Sequence, residues 1–310
     1  MKIVVTGGCG FIGSHVSNAL KALGHEVVVV DSMLRRTHQQ DSPRQYLHPD
    51  IQVVELSCQD FSMGDADVIV HLAAEVGVED SMMDPLRYIY GNTIDTSCML
   101  DMRIGTPKRL VVASSMSVYG DPNTHLPINE FHRIDPASIY GLTKYDQEKL
   151  CRLWGSTNSI DTIALRFFNV YGPRQCLSNP YTGVIANFAQ RLLNGQAPTV
   201  YEDGQQTRDF VYIDDVVAAV VAAALGDLSP DVYNVCTGSP TTIEQMAIKL
   251  SYHLGVGIEP EITNTERDGD IRHCIGDPGK LDYSLVGGWS PLRVEEGLKL
   301  YCEWLKGAQR

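Results

Sequence analysis

Three glycines at positions 7, 10 and 13, set between two apolar runs, constrain the fold of this chain more than any other feature. Ile3-Val4-Val5 reads as a buried strand. Ser14 to Leu23 carries helical periodicity, and Gly24 ends it. Val27 to Val30 is the next strand, closed by Asp31. Strand, glycine turn, helix and strand make a βαβ unit. In such a unit Gly7 permits the tight turn, Gly10 lets the backbone approach a pyrophosphate, and Gly13 lets helix and strand pack closely. Phe11 and Ile12 complete the turn into the helix, whose free N–H groups attract an anion. Asp31 can accept hydrogen bonds from ribose hydroxyls, and its charge repels a 2′-phosphate, so NAD is expected over NADP. Arg35 and Arg36 follow closely and could serve a 2′-phosphate instead. A P-loop is excluded, because Ser14 stands where the phosphate-binding lysine is required.

A second constellation lies further along. Tyr140 and Lys144 are four residues apart, so on a helix they share a face. A tyrosine hydroxyl with its ordinary pKa of about 10 is a poor base at neutral pH. A nearby ammonium and a positive nicotinamide ring both favour the phenolate. The spacing alone is weak evidence, since Tyr145 and Lys149 repeat it; that pair faces elsewhere and reads as a solvated or packing face. The first pair stands out by context. Pro136 to Ile139 precedes it, Gly141 follows the tyrosine, and Ser115 comes 25 residues earlier, after the strand Leu110 to Ala113. Ligands of open α/β sheets bind beyond the carboxyl ends of strands, where a Ser115 hydroxyl can share a proton with Tyr140. Ser114 and Ser117 can be explained by turn or capping roles alone.

The G-x-x-G-x-x-G spacing together with Tyr-x-x-x-Lys resembles the short-chain dehydrogenase/reductase superfamily, and the chain resembles its extended branch of nucleotide-sugar epimerases and dehydratases. Further marks are His71-Leu72-Ala73-Ala74, Ser114 to Gly120, Arg166 to Pro173, Arg208 to Val216 and Arg267 to Arg272. The resemblance implies a Rossmann-type doubly wound parallel sheet with a smaller C-terminal α/β substrate lobe. It implies Ser115, Tyr140 and Lys144 as catalytic residues, and Ser117 as a supporting substrate contact. It implies NAD contacts from Leu72, Ala73, Ala74 and Asn92. Ser57 stands where the family usually has an Asp that contacts adenine, so that contact is expected to be altered or weakened. Asn169, Arg208 and Arg267 match substrate pyrophosphate positions, and Asp270 matches a nucleotide-ribose contact. Two phosphates do call for forked guanidinium donors. Cys274 falls where residue size influences entry of a 2-acetamido sugar.

What is missing selects the reaction. Related 4,6-dehydratases carry Asp-Glu where this chain has Met116-Ser117, and related uronate decarboxylases usually have Glu at the Ser117 position. Water elimination needs an acid for the leaving hydroxyl and a base for the C5 proton, and Met and Ser serve neither role well. The favoured reading is a nucleotide-sugar 4-epimerase, UDP-hexose first among substrates, acting through a 4-keto sugar with retained NAD. Two readings stand beside it: another NAD(P)-dependent enzyme on the scaffold, such as a ketone reductase or a 2- or 5-epimerase, and a non-catalytic NAD sensor.

Composition bounds the partners. With 25 Lys and Arg against 38 Asp and Glu, the formal net charge of −13 argues against nucleic acid or an anionic membrane. Eight scattered Cys without C-x-x-C read as reduced thiols of a cytoplasmic protein, and nine His without ligand spacing give no metal site. His71 at a strand end reads as structural, and Cys9 as a small residue that fits its turn. No secretory signal is expected, because Lys2 leads directly into a strand. The longest apolar run, Val216 to Leu225, is too short to span a bilayer and reads as a buried helix capped by Asp214-Asp215.

Alternation of βα units through Val53-Val54, Val68 to Val70, Leu110 to Ala113 and Thr162 to Leu165 predicts a parallel sheet covered on both faces. Residues 1–168 are expected to form the cofactor domain and 169–310 the substrate lobe, with the chain crossing back near 209–238. Little helix is expected between Asp60 and Asp67. The resemblance implies a homodimer built on two helices per subunit, here about 92–104 and 140–154, carrying Ile94, Met99, Leu100, Leu150 and Leu153; the alternative is that these residues only cover the sheet.

Overall fold

The computed structural model describes residues 1–34, 43–62, 64–101, 107–122, 126–177, 183–265 and 271–308. Seven strands form one fully parallel sheet. They are β1 (Lys2–Thr6), β2 (Glu26–Asp31), β3 (Gln52–Glu55), β4 (Val68–His71), β5 (Arg109–Ser115), β6 (Asp161–Phe167) and, from far along the chain, a strand at Val232–Val235. Their spatial order is Val232–Val235, β6, β5, β4, β1, β2, β3. The order reverses between β1 and β4, so the connections leave a crevice beyond the carboxyl ends of those two strands.

Successive residues of each strand point to opposite faces, and each face has its own cover. Ile3, Val5, Val29, Val70 and Val111 pack with Val16 and Leu20 of α1 (Phe11–Ala22) and with Val216, Ala219 and Val220 of the helix Ile213–Leu225. Val4, Val28, Ile69, Leu110 and Val112 pack with Met99, Leu100 and Cys151 on the other face. This two-sided burial explains the near-continuous Val and Ile runs of the sequence.

Several local expectations change. The helix expected at 92–104 is the end of a π-turn at Ile89–Ile94 followed by α4 (Asp95–Asp101), with two short helices, α2 (Val78–Met83) and α3 (Pro85–Tyr88), before it and 102–106 outside the described residues. Met99 and Leu100 are buried on the sheet and Leu150 packs partly against it, whereas Ile94 and Leu153 are exposed. The helix Ile213–Leu225 is not capped by Asp214-Asp215: its cap residue is Tyr212, and both acids lie in the first turn, complementing the helix dipole. Between Asp60 and Asp67 the described residues hold only the end of a short 3-10 turn at Cys58–Asp60.

The helix α5 (Ile139–Asn158) is capped by Ser138, whose hydroxyl accepts from the Gly141 N–H at 3.0 Å. It buries Gly141, Lys144, Glu148, Cys151 and Gly155, a stripe of helical period that is unusually polar. A Cβ on Gly141 would overlap the Ser117 carbonyl oxygen, so the glycine after Tyr140 lets α5 approach the turn that follows β5.

A second apolar cluster, built from Ile185, Phe188, Phe210, Met246, Leu250, Leu298 and Tyr301, holds most of the remaining chain. There β7 (Asn169–Tyr171) and His273–Cys274 run parallel to Thr207–Tyr212, and Pro240–Thr242 runs antiparallel to it.

Candidate active site

A cavity of about 890 Å³ opens at the carboxyl edge of the large sheet and runs to the second cluster. One end is built by the glycine turn. Gly7 has φ +68°, and a Cβ there would lie 2.8 Å from the Ala73 nitrogen. A Cβ on Gly13 would overlap the Gly7 carbonyl oxygen and lie 2.7 Å from the Gly8 Cα. Gly10 caps α1, and Phe11, Ile12 and Gly13 of its first turn line the cavity. The N–H groups of a first helical turn have no intrahelical partner. Asp31, the last residue of β2, also lines the cavity; its carboxylate accepts from the Cys9 N–H at 3.0 Å and the Met33 N–H at 2.9 Å. Arg35 and Arg36 lie outside the described residues.

Leu72, Ala73 and Ala74 form the wall beyond β4. Asn92 does not line the cavity. It is fully buried behind that wall, accepting from the Glu75 N–H at 2.6 Å and donating to the Glu75 carbonyl at 3.1 Å and Thr143 Oγ1 at 3.0 Å. Ser57 lines the cavity, and its hydroxyl donates to Asp95 Oδ2 at 3.2 Å. Asp95 lines the cavity too, so a carboxylate stands beside Ser57 although position 57 itself carries none.

Ser115, Tyr140 and Lys144 meet on one wall. Ser115 ends β5; its Oγ accepts from the Ser117 N–H at 3.1 Å and donates to Ser117 Oγ at 3.2 Å. The Tyr140 N–H is held by Ser81 Oγ at 3.0 Å, and its ring meets Tyr88 edge-on at 6.4 Å. Burial pushes the Tyr140 hydroxyl above its ordinary pKa, opposed by the Ser115 hydroxyl. The expected lowering of this hydroxyl calls for the nicotinamide charge as well as the Lys144 ammonium. Lys144 is buried, and burial brings its ammonium down to about 8. Ser114 is occupied elsewhere, donating to Glu148 Oε2 at 2.8 Å within a buried pair of Glu148 and Arg166. Tyr145 packs partly on the core while Lys149 sits over its ring at 5.7 Å, which is the bland role expected of that pair.

Toward the second cluster the wall includes Met116, Ser117, Asn169, Arg174 and Gln175. Asn169 Oδ1 and Gln175 Oε1 are buried without a hydrogen-bond partner. Arg208 is not on this wall; its guanidinium donates to the carbonyls of Thr207 at 2.9 Å and Arg272 at 3.4 Å. Arg267 and Asp270 lie outside the described residues. Cys274 is buried behind Met116, its sulfur 3.0 Å from the methionine sulfur.

Three lining residues escaped the sequence reading. Arg174 reaches Ser14 of α1 at 3.4 Å and lies over the Tyr46 ring at 5.3 Å, placing a cation near the glycine turn. Its signal was its place directly after Tyr171-Gly172-Pro173. Gln175 follows it, and Asp95 carries no local motif.

A doubly wound parallel sheet with Ser, Tyr and Lys gathered at its carboxyl edge is the architecture of the extended short-chain dehydrogenase/reductases. The family model for NAD dependent epimerases and dehydratases matches residues 3–236, and the chain belongs to that family. A putative UDP-glucose 4-epimerase of Methanocaldococcus jannaschii is 33% identical over 312 residues, covering 99% of each chain. The solved UDP-glucose 4-epimerase of Thermotoga maritima, with UDP-glucose, superposes with a TM-score of 0.90 at 32% identity over 100% of both chains. The UDP-N-acetylglucosamine 4-epimerase of Methanobrevibacter ruminantium, in complex with UDP-N-acetylmuramic acid, superposes at 0.88 with 31% identity, over 99% of this chain and 98% of that one.

Proposed function

We propose that this chain inverts C4 of a nucleotide-diphosphate sugar, with a UDP-hexose as the favoured substrate. The observation that carries the reading is the gathering of Ser115, Tyr140 and Lys144 on one cavity wall whose neighbouring turn holds Met116 and Ser117 instead of acids. The two solved relatives named above are 4-epimerases of UDP-glucose and UDP-N-acetylglucosamine, which favours UDP.

The cavity suits NAD. The glycines let the turn close tightly on itself and against Ala73, the first turn of α1 offers N–H groups, and Asp31 supplies a ribose acceptor. When bound, NAD supplies the hydride acceptor and donor. Gly7, Gly10, Phe11, Ile12 and Gly13 would hold its pyrophosphate with Arg174 as cation, and Leu72 to Ala74 would line the site beyond. Ser57 with Asp95 would face the base end. Asn92 braces the Glu75 segment from behind.

Tyr140 takes the proton of the sugar C4 hydroxyl and later returns it, while Ser115 shares that proton and Lys144 stabilises the phenolate. Ser117 holds Ser115. Asn169 and Gln175 offer unpartnered acceptors to sugar hydroxyls. Arg208, Arg267 and Asp270 are assigned to the nucleotide end. The 4-keto sugar turns over between the two proton transfers, so no net oxidation occurs and NAD stays bound.

We further assign the chain to a homodimer, which the exposed Ile94 and Leu153 support, and to a reducing cytoplasm, which the eight free thiols support. No helix among the described residues is long and apolar enough to cross a membrane.

The test is a panel of UDP, dTDP, CDP and GDP sugars incubated with the pure protein and no added cofactor, followed by proton NMR. A C4 epimer without net NADH formation is the expected result. Turnover only with NAD(P)H and a carbonyl compound would reassign the chain as a reductase.

A further inference from the structure

A buried polar chain stands behind Lys144 and takes no direct part in the proposed chemistry. The ammonium donates to Oε1 of Gln147, at 2.7 Å. Gln147 sits about one turn further along α5 and is fully buried. Its Nε2 lies 2.9 Å from Thr96 Oγ1, 3.2 Å from His71 Nε2 and 3.2 Å from the Ala73 carbonyl oxygen. Thr96 Oγ1 is also 2.9 Å from His71 Nε2, and His71 Nδ1 is 2.7 Å from Thr6 Oγ1. The Thr6 hydroxyl accepts from the Ala73 N–H at 3.3 Å.

Donor and acceptor chemistry fixes the orientation of this amide. An ammonium only donates and a carbonyl only accepts, so the Gln147 oxygen faces Lys144 and its nitrogen faces Ala73. Thr96 then accepts from Gln147, and the two ring nitrogens of His71 bond Thr96 and Thr6. His71 is neutral, because burial, with Lys144 second, lowers it to about 3. One amide thus joins the ammonium to residues at the carboxyl ends of β1 and β4, the strands that flank the crevice.

We propose that Gln147 is a positioning residue for Lys144: it anchors the ammonium to the rear wall through Thr96, His71 and Ala73. The ammonium keeps its other donors for the cavity that Lys144 lines. A neutral acceptor suits this place. An apolar side chain would leave a buried donor unsatisfied, and a carboxylate would capture the charge in an ion pair. The other titratable groups near Lys144 do not compete for it. Tyr140, Glu148 and Cys151 share its helix, and His71 faces it from β4. Glu148 is committed to Arg166 of β6 and to Ser114, and burial pushes the Cys151 thiol up to about 12.

The proposal rests on the assignment of Lys144 to Tyr140 chemistry, and its test separates the two. Gln147→Glu and Gln147→Met are prepared as NAD-loaded protein. Two quantities are followed: the basic limb of the pH–rate profile, and the titration of the Lys144 Cε resonance in ¹³C-lysine protein, identified by its loss in Lys144→Met. Gln147→Glu should move both up by about one pH unit or more, since a carboxylate favours the ammonium. Gln147→Met should move both down and reduce kcat about tenfold with KM little changed, since the charged form loses its acceptor. Titration as in the wild type in both variants, or shifts of the same sign in both, would overturn the proposal and leave Gln147 a packing residue. If Gln147→Met does not fold, the sign of the Gln147→Glu shift decides. Opposed resonance shifts in a protein that epimerises no sugar would uphold the anchor and refute the 4-epimerase assignment instead.

Discussion

Tyr140 starts at a disadvantage as a base. Its hydroxyl is raised by burial and only partly relieved by Ser115, so ionisation needs the positive charge that Lys144 and the oxidised nicotinamide bring together. Removing the hydroxyl should therefore remove the reaction and spare the site. Tyr140→Phe is expected to lower kcat by about 10²- to 10⁴-fold, with NAD content and substrate affinity kept, as measured by steady-state kinetics and by nucleotide release on denaturation. A variant at wild-type rate would move the proton transfer to another group. The proposed catalytic set was legible in the sequence because its chemistry fixes residue types at short spacing: Tyr140 and Lys144 one helical turn apart, Ser115 at a strand end. Arg174, Gln175 and Asp95 were not, because each reaches the cavity through folding of distant segments. Arg174 meets Ser14 across 160 residues of chain, and no local periodicity encodes that meeting. Asn92 was named through the resemblance as an NAD contact, but its side chain braces the cavity wall from behind, a role that depends on the distant Thr143.

At the scale of elements, α5 carries Tyr140 and Lys144 of the proposed site, and its polar stripe must be held against the sheet. The Glu148 carboxylate takes two hydrogen bonds from Arg166 of β6, at 2.9 and 2.7 Å, and a third from Ser114 of β5. Arg166 also donates to the Tyr119 hydroxyl at 2.8 Å. Three elements thus meet at one buried pair. Arg166→Met should leave a buried carboxylate unpaired and cost roughly 3–5 kcal/mol, read by urea denaturation; Glu148→Gln combined with it should recover part of the loss. If the single variant costs under about 1 kcal/mol, the pair is better solvated than its burial implies. The proposed dimer would use the outer side of the same helix together with the neighbouring π-turn. Leu153 is 65% exposed and Ile94 40% exposed, and Leu153→Glu should shift the sedimentation coefficient to that of a monomer while leaving the fold intact. The composite helix before α4 shows where sequence reading falls short. Helical residues continue through Ile89–Ile94, and a π-turn leaves no mark in periodicity over so few residues.

At the scale of the whole molecule, the parallel sheet was legible because burial on both faces demands long apolar runs, and those runs stand out in any window. The strand at Val232–Val235 was harder to place, since its partner β6 precedes it by some 65 residues. The sheet's polar edge has a consequence for acid stability. His71 ends β4, is 1% exposed, and holds both ring nitrogens in hydrogen bonds to Thr6 and Thr96. Its pKa is lowered from 6.5 to about 3 in the folded chain, first by burial and then by Lys144. A group lowered in this way is neutral in the folded protein and charged in the unfolded one between those two values. Its stabilisation is therefore complete above pH 6.5 and is lost as pH falls toward 3. The full window corresponds to roughly 4–5 kcal/mol at 1.36 kcal/mol per pH unit, an upper bound. Asp215, raised to about 6 by burial, works in the opposite sense between its ordinary value and 6 and masks part of the loss. A difference between two chains isolates the histidine. His71→Gln should be less stable than the wild type at pH 7, because a buried network is disturbed, yet the gap should narrow steadily from pH 6.5 to pH 4 in urea titrations. A gap of constant width across that range would mean that His71 titrates alike in both states, and that water reaches the rear of the site.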